Sequence, residues 1–442
     1  MQVLCACMAF CHFISNAPPR SPQRSEEAEA GFIPDVAAGF GAEPHLEGES
    51  IMRLTGTTAT GIRLPIIGPG DDLVSIAADH VIRVTESEGK PLQDGDIIGV
   101  TEGIVAKAEG NFVTCDHIAT DVRAKFGDEE VGLVFPMLSR NRFLNILKGI
   151  SRGVKKLHVL LNFPNDEVGN PVMDIDILDD VRDKLGGKMA TAEEFYAACG
   201  GVYKHAFTGV DYVELYQSAG ENISIYFSAD PRDILKLSKH IIVGEIHSRN
   251  STKARLQRAG AAQVYTLSDI LNKSIDGSGY NEAYGVLGSN LSTEDTLKLF
   301  PGRAGEFVHG LQARLFEKTG ARPEVLVYGD GAFKDPVCGI WELADPVVSP
   351  GFTKGLGGQP MEIKIKFVAD NAFGELEGDE KQKAVTQAIK EKHQNPDAYR
   401  EGTTPRFYAD LVGSLCDLMA GSGDKGTPVV LVRGYFDDFA AE

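Results

Sequence analysis

Asp330, Lys334 and Asp335 stand together on a glycine-rich stretch, GDGAFKDP (329–336), directly after the apolar run EVLVYG (324–329). That run reads as a buried strand, which puts the two carboxylates at its C-terminal end, the edge where ligands collect in open α/β sheets. Carboxylates there suit Mg2+ or Mn2+, hard cations that take oxygen ligands and bridge nucleotide phosphates. The alternative is an Asp-Gly turn with no ligand. A second candidate is GSGDKGTP (421–428), whose small residues expose backbone N–H groups able to cradle phosphate or ribose. The third is Ser139-Arg140-Asn141-Arg142 at a helix start, where two guanidinium forks and free N–H groups suit a phosphate or carboxylate. Simple helix capping is its alternative.

Other chemistry is excluded by pattern. No G-x-x-x-x-G-K-[ST] or H-E-x-x-H occurs. The one G-x-S-x-G, GISRG (149–153), ends a helix instead of following a strand, so Ser151 is not a nucleophile elbow. Lys148, Arg152 and Lys155 project opposite that helix's apolar stripe and read as a solvated face.

The elements that must position these residues alternate. Strand-like stretches in 54–67 end at GPGDD (68–72), a forced turn, and Leu73 to Val84 reads as a helix. LQDGD (92–96) is a turn, 97–100 a strand and 101–109 a short helix. Phe143, Ile146, Leu147, Ile150 and Val154 repeat at helical spacing, and LHVLLNF (157–163) reads as a buried strand. HIIVGEI (240–246) is another buried strand, Gly305 to Thr319 a helix, and PVVLVRG (428–434) the last strand. A Thr cap and Pro405 predict a helix from Thr404 to Gly421. Its apolar stripe is Tyr408, Leu411, Val412, Leu415 and Met419; Arg406, Asp410, Ser414 and Asp417 lie opposite, as a solvated face or subunit contact.

Length and composition set the class. The 442 residues suggest two to three domains or one elaborated one, and 43% hydrophobic against 24% charged residues gives a soluble chain with a sizeable core. A formal net charge of -19 argues against general nucleic-acid binding, which needs a basic face. The longest apolar run is far short of the ~20 residues a bilayer helix needs. Cys5, Cys7, Cys11, Cys115, Cys199, Cys338 and Cys416 are scattered and odd in number, so reduced thiols and a cytoplasmic location are expected. Residues 1–51 carry two Arg against seven acids, lack a basic stretch before the apolar start, and read as a disordered extension.

Several blocks in order resemble the coenzyme F-420-0:L-glutamate ligase family, the γ-glutamyl ligases of deazaflavin cofactor synthesis. They are LPIIGPGDDL (64–73), LQDGDIIGVTEGIVAKAEG (92–110), YGVLGSN (284–290), VLVYGDG (325–331) and ADLVGSLCDLMAGSGDKGTPVVLVRG (409–434). The whole 52–442 pattern is similar to a longer bacterial branch with an extra middle region. The fold the resemblance implies is a mixed α/β to α+β, ligase-like fold. Its parts are expected at 52–165 and 269–442, around an inserted α/β region at 166–268. It also implies a homodimer and a GTP- or ATP-dependent reaction with Mg2+ or Mn2+, in which glutamate is joined to a carboxylate acceptor, deazaflavin-like or folate-like, through an acyl phosphate. A non-catalytic nucleotide-binding or regulatory protein on the same scaffold is the alternative.

By position, the resemblance assigns nucleotide contacts to Leu64, Pro65, Ile66, Ile67, Lys107 and Asn290, and to the loop Gly421, Ser422, Gly423, Asp424, Lys425 and Gly426. Lys107 and Asp330 become the catalytic candidates. Asp330, Gly331 and Asp335 become the metal set, and Arg140, Arg142 and Lys334 remain phosphate or substrate candidates. One position departs from the pattern: Leu287 stands where the family has its first metal-binding Asp, with Asp276, Glu282 or Asp335 as replacement carboxylates.

Overall fold

The computed structural model describes residues 55–166, 169–329, 332–334, 341–343, 348–392, 407–420 and 424–440. The chain divides by its contacts at Ile51/Met52, and everything below concerns the second unit. The expectation for residues 1–51 lies outside the described residues.

Along the chain run β1 (Thr58–Ile62), α1 (Leu73–Ser87), β2 (Ile97–Thr101), α2 (Glu102–Glu109), β3 (Phe112–Thr114), α3 (Cys115–Phe126), β4 (Glu130–Val134), α4 (Arg140–Gly153) and β5 (Lys156–Asn162). Next come α5 (Ile175–Leu185), β6 (Ala190–Thr191), α6 (Ala192–Ala198), α7 (Tyr212–Gln217), β7 (Ile223–Ser228), β8 (His240–Val243), α8 (Arg249–Arg258) and β9 (Gln263–Thr266). The remainder is β10 (Asn290–Thr293), β11 (Thr296–Lys298), α9 (Ala304–Thr319), β12 (Glu324–Gly329), β13 (Ala332–Lys334), β14 (Trp341–Leu343), β15 (Val348–Phe352), α10 (Ile365–Asn371), α11 (Gly378–Glu391), α12 (Tyr408–Ala420) and β16 (Val429–Arg433). The mixed α/β expectation is met.

One sheet takes strands from both ends of the unit, in the order β1-β16-β2-β12-β15. Only β2 and β12 run parallel; the other pairings are antiparallel. Its strands alternate cleanly between faces. Ile98, Val100, Val325, Val327, Val429 and Leu431 pack against α1 and α9, while Ile97, Leu326, Tyr328, Val430 and Val432 pack against α12. With helices on both sides the inner strands β2, β12 and β16 are buried on both faces, which is why the sequence shows near-continuous apolar runs there. On α12 the covered residues are Ala409, Val412 and Cys416, flanked by Tyr408, Leu415 and Met419. The predicted stripe was therefore turned slightly, with Cys416 in the seam and Leu411 only half-buried. The expected start at Thr404-Pro405 lies outside the described residues, and the helix runs from Tyr408.

The second large sheet has the order β6-β7-β5-β4-β8-β9, parallel except for β6. Leu133, Val159, Leu161 and Ile242 pack on one face with α3, α4 and α7. Val134, Leu160, Ile241 and Val243 face the 3-10 helix Pro231–Lys236 and α8 on the other. This sheet spans residues 130–266, so strands from both sides of the expected 165/166 boundary share it. A small sheet, β10-β11-β3, links the two halves. The strand expected at 240–246 stops at Val243, and the chain passes through residues 244–248 to α8.

Among the described residues Cys115, Cys199 and Cys416 are free thiols. Burial pushes the Cys115 and Cys416 thiols up to about 12. No described helix is long and apolar enough to cross a membrane.

Candidate functional site

In the five-stranded sheet, β2 and β12 end side by side, with Tyr328 opposite Thr101. β16 enters from that same edge and β1 leaves by it, since Ile62 pairs with Val429 and Val429 with Val100. The Thr101 N–H donates to the Pro428 carbonyl at 2.9 Å, fixing the loop before β16 against the end of β2. Four sequence-predicted segments therefore meet at one edge: Leu64–Ile67 beyond β1, Asp424–Gly426 before β16, the β2–α2 junction, and Gly329, from which the chain continues to Asp330. None is near another in sequence; the antiparallel return of β16 brings them together.

At the centre of that edge is a pair that sequence reasoning missed. Glu102 is the first residue of α2 and only 6% exposed. Its Oε2 receives Lys298 Nζ at 2.5 Å, and the Lys298 side chain is itself 15% exposed. An acid at a helix N-terminus is favoured by the dipole, and the ammonium offsets the loss of water around it. Gly329 makes the space: a Cβ there would lie 2.0 Å from Glu102 Cγ. Lys298 also pairs across the ladder with Asn290, drawing that predicted residue to the same place. The missing signal is distance in sequence, since Lys298 lies 196 positions from Glu102.

Around the pair, Ile67 is buried, Leu64 is half-buried, Pro65 is exposed and Ile66 is 94% exposed. Asp424, Lys425 and Gly426 are exposed. Lys107 is half-buried in the last turn of α2, its side chain with no hydrogen bond or ion pair among the described residues. Gly421, Ser422, Gly423, Asp330, Gly331 and Asp335 lie outside the described residues. Lys334 is described only as backbone of β13, which pairs with β14.

The metal expectation finds no donor set among the described residues, where no three His, Cys, Asp or Glu side chains form a metal-binding cluster. Asp276 and Glu282 are exposed and apart from any such group. Glu102, the carboxylate next to Gly329, is committed to Lys298. Leu287, at the departing position, is 6% exposed and belongs to the apolar core.

Arg140 and Arg142 are not at this edge. They open α4 beside the six-stranded sheet, with the Ser139 hydroxyl accepting the Arg142 N–H at 3.2 Å. Ser151 sits inside α4, its hydroxyl bonded to the Lys148 and Ala219 carbonyls, as an ordinary helix serine would be. The solvated face expected for Lys148, Arg152 and Lys155 holds for Arg152 and Lys155, which are exposed, while Lys148 is half-buried. Lys148 donates to the Glu294 carbonyl, and Arg152 bridges Asp116 at 3.0 Å and Asp295 at 2.7 Å, because α3 and the β10–β11 turn pack over that side.

Pockets lie elsewhere in the molecule. One of about 250 Å3 between α1, α2 and α9 includes Asp71, Glu109 and Arg303. Burial raises the Glu109 carboxyl above its usual range, and it accepts the Gly302 and Arg303 N–H groups that precede α9, a capping role. Another, about 500 Å3, lies at the opposite edge of the five-stranded sheet and includes Lys90, Asp96 and Arg433.

Fold and edge together define a mixed α/β protein whose loops converge at the carboxyl ends of two parallel strands, the edge where ligands collect in open α/β sheets. Comparison with known proteins then gives the family: the model described as F420-0:Gamma-glutamyl ligase matches residues 61–434, and the chain belongs to that family. The chain is also similar to the coenzyme F420:L-glutamate ligase of Methanothermobacter thermautotrophicus, 35% identical over 71 residues. That stretch is 15% of this chain and spans only 27% of the length of that relative.

Proposed function

We propose that this chain is a nucleotide-dependent γ-glutamyl ligase. It would join the amine of L-glutamate to a carboxylate acceptor, coenzyme F-420-0-like or folate-like, with GTP or ATP as co-substrate. The observation that carries the reading is the convergence of Leu64–Ile67, Glu102–Lys298, Asn290, residues 424–428 and the end of β12 on one sheet edge. Exposed Pro65 and Ile66 offer an apolar surface for a base, and Lys107 and Lys425 are cations for phosphates. The reading includes the family's ligase-like fold for the half with the five-stranded sheet, the six-stranded sheet as the added region, a homodimer and a cytoplasmic location.

In the reaction, an acceptor carboxylate oxygen attacks the γ-phosphorus and the nucleoside diphosphate leaves. The glutamate amine then attacks the acyl carbon, inorganic phosphate leaves, and the amine proton passes to solvent. Such steps are accelerated chiefly by positioning and charge neutralisation. The reading also carries a requirement for Mg2+ or Mn2+, for which the sequence offers Asp330 and Asp335.

The test is equilibrium binding of GTP and ATP to the full chain, with and without Mn2+, for wild type, Lys107→Ala and Asp330→Asn. Metal-dependent binding weakened by both changes is expected, followed by a glutamyl mass increment on an acceptor. Failure to bind either nucleotide overturns the reading. A second reading, a nucleotide-binding protein without catalysis, is favoured by Leu287, an apolar core residue where the family pattern has a metal-binding Asp. Steady turnover would eliminate it.

A further inference from the structure

The six-stranded sheet has its own place for a ligand. Its parallel strands lie in the spatial order β7-β5-β4-β8-β9, so numbered along the chain they read third, second, first, fourth, fifth. The connection after β4 passes over the Leu133 face through α4, and those after β7 and β8 pass over the Val243 face. The chain thus leaves neighbouring β4 and β8 in opposite directions, and a doubly wound sheet binds ligands in the crevice outside the carboxyl ends of such a pair.

Both exits carry chemistry. After β4 the chain reaches the Ser139 cap and the first turn of the 14-residue α4, with Arg140 half-buried and Arg142 only 6% exposed. After β8, Gly244 donates to the Val134 carbonyl at 2.8 Å and packs so closely on Pro136 that a Cβ would lie 2.8 Å from its Cα. Glu245, the next residue, is thereby set beside the β4 exit. It is 6% exposed, and its Oε1 has no hydrogen-bond partner among the described residues. At the first position of α8, Arg249 spends one guanidinium nitrogen on the Ile246 carbonyl, yet its buried Nε also lacks a partner among the described residues. A buried carboxylate oxygen without a donor and a buried N–H without an acceptor both call for a partner from outside the fold.

The loop after β4, FPMLS (135–139), has no glycine, so it lacks the close backbone approach a dinucleotide pyrophosphate needs. A lone phosphate would be repelled by Glu245. A zwitterion suits this pair, its carboxylate towards Arg249 and its ammonium towards Glu245. We propose that the crevice between the ends of β4 and β8 binds the free amino acid that the ligase uses as amine. The role as substrate rests on the ligase reading; the location does not.

The two sites are physically connected. Asn145 of α4 donates to the Thr293 carbonyl and Lys148 to that of Glu294, so β10 runs back along α4 and its first residue, Asn290, lies towards the Arg140 end. Asn290 pairs with Lys298, which holds Glu102.

The test is calorimetric titration of the full chain with L-glutamate, alone and with a non-hydrolysable GTP analogue, for wild type, Glu245→Gln and Arg249→Gln. Inorganic phosphate serves as the competing probe, and analogue binding reports that each variant is folded. Glutamate affinity should fall about tenfold or more in Glu245→Gln, with analogue affinity unchanged. If Glu245→Gln does not fold, the same loss in Arg249→Gln supports the site. Unchanged glutamate affinity in a folded variant overturns it, as does the absence of glutamate binding under both conditions. Tighter phosphate binding in Glu245→Gln together with displacement of glutamate by phosphate would show a plain anion site and also overturn it. Loss of analogue binding in wild type alone would sink the ligase reading and leave the location standing.

Discussion

The two large sheets reach their ligand edges by opposite routes. The six-stranded sheet is drawn from one continuous span and is parallel apart from β6, so its edge follows from winding order alone. The five-stranded sheet joins β1 to β16 and β2 to β12, pairs far apart along the chain, and only one of its pairings is parallel. Its edge exists because two antiparallel strands deliver their loops beside a parallel pair. The first kind of edge depends on local order, the second on long-range closure. A change at the closing contacts should therefore cost function in the five-stranded half, whereas equal steric damage in the other half should cost stability with the nucleotide edge left intact.

The largest expected effect is at Lys298. Removing it leaves Glu102 as a buried carboxylate without its counter-charge, and breaking such a pair costs about 3–5 kcal/mol. Lys298→Met should lower the denaturant midpoint accordingly and abolish nucleotide binding. Adding Glu102→Gln should restore most of the stability, because a neutral amide is far easier to bury. Stability that stays low in the double variant would mean that the packing of Lys298, not its charge, matters.

Next comes a matched pair of glycines. Gly329→Ala drives a methyl onto Glu102, and Gly132→Ala drives one to 2.4 Å from Ile234 Cγ1 under the six-stranded sheet. Overpacking of this kind costs about 1–3 kcal/mol in either place. Thermal unfolding should fall comparably in both, but nucleotide affinity should drop only in Gly329→Ala. Equal loss of affinity in both would erase the distinction between the halves.

How much of this could be read beforehand follows the same divide. Runs such as EVLVYG and PVVLVRG were legible as strands because burial on both faces leaves continuous apolar sequence, and the helix at 143–154 because its stripe repeats at helical spacing. Candidate loops were legible from glycine and charge. Their meeting was not, since strand order carries no local signal and β16 must return between β1 and β2 to bring residues 424–428 beside Leu64. Glu102 lay inside a quoted block yet went unnoticed, because a single acid opening a helix reads as a cap until Lys298 arrives beside it. The ion pairs of exposed Arg152 were not legible for a related reason: its acidic partners come from α3 and the β10–β11 turn, which a helical-wheel argument does not include.

The smallest effect separates the halves by the sign of a pH dependence. Asp230, beside the six-stranded sheet, is held down at about 2, chiefly by hydrogen bonds from Arg232 and also by the Arg255 charge 3.7 Å away. Its folded value lies below that of an unfolded Asp, about 3.9. The stability it contributes is therefore present above pH ~4 and is lost as the pH falls towards about 2. Asp96, at the far edge of the five-stranded sheet, is raised by burial despite the Arg433 guanidinium 3.4 Å away. As the pH falls through its folded value, the folded chain takes up a proton that the unfolded chain has not yet bound, so acid adds stability there. Relative to Asp230→Asn, wild type should lose its advantage between pH ~4 and about 2; relative to Asp96→Asn it should gain with acid until pH ~4. Because Asp230 is partly exposed, its arm should be modest and shrink in salt, while the Asp96 arm, set by burial, should not. Two arms of the same sign in urea titrations across that range would show that the burial around Asp96 does not persist in solution.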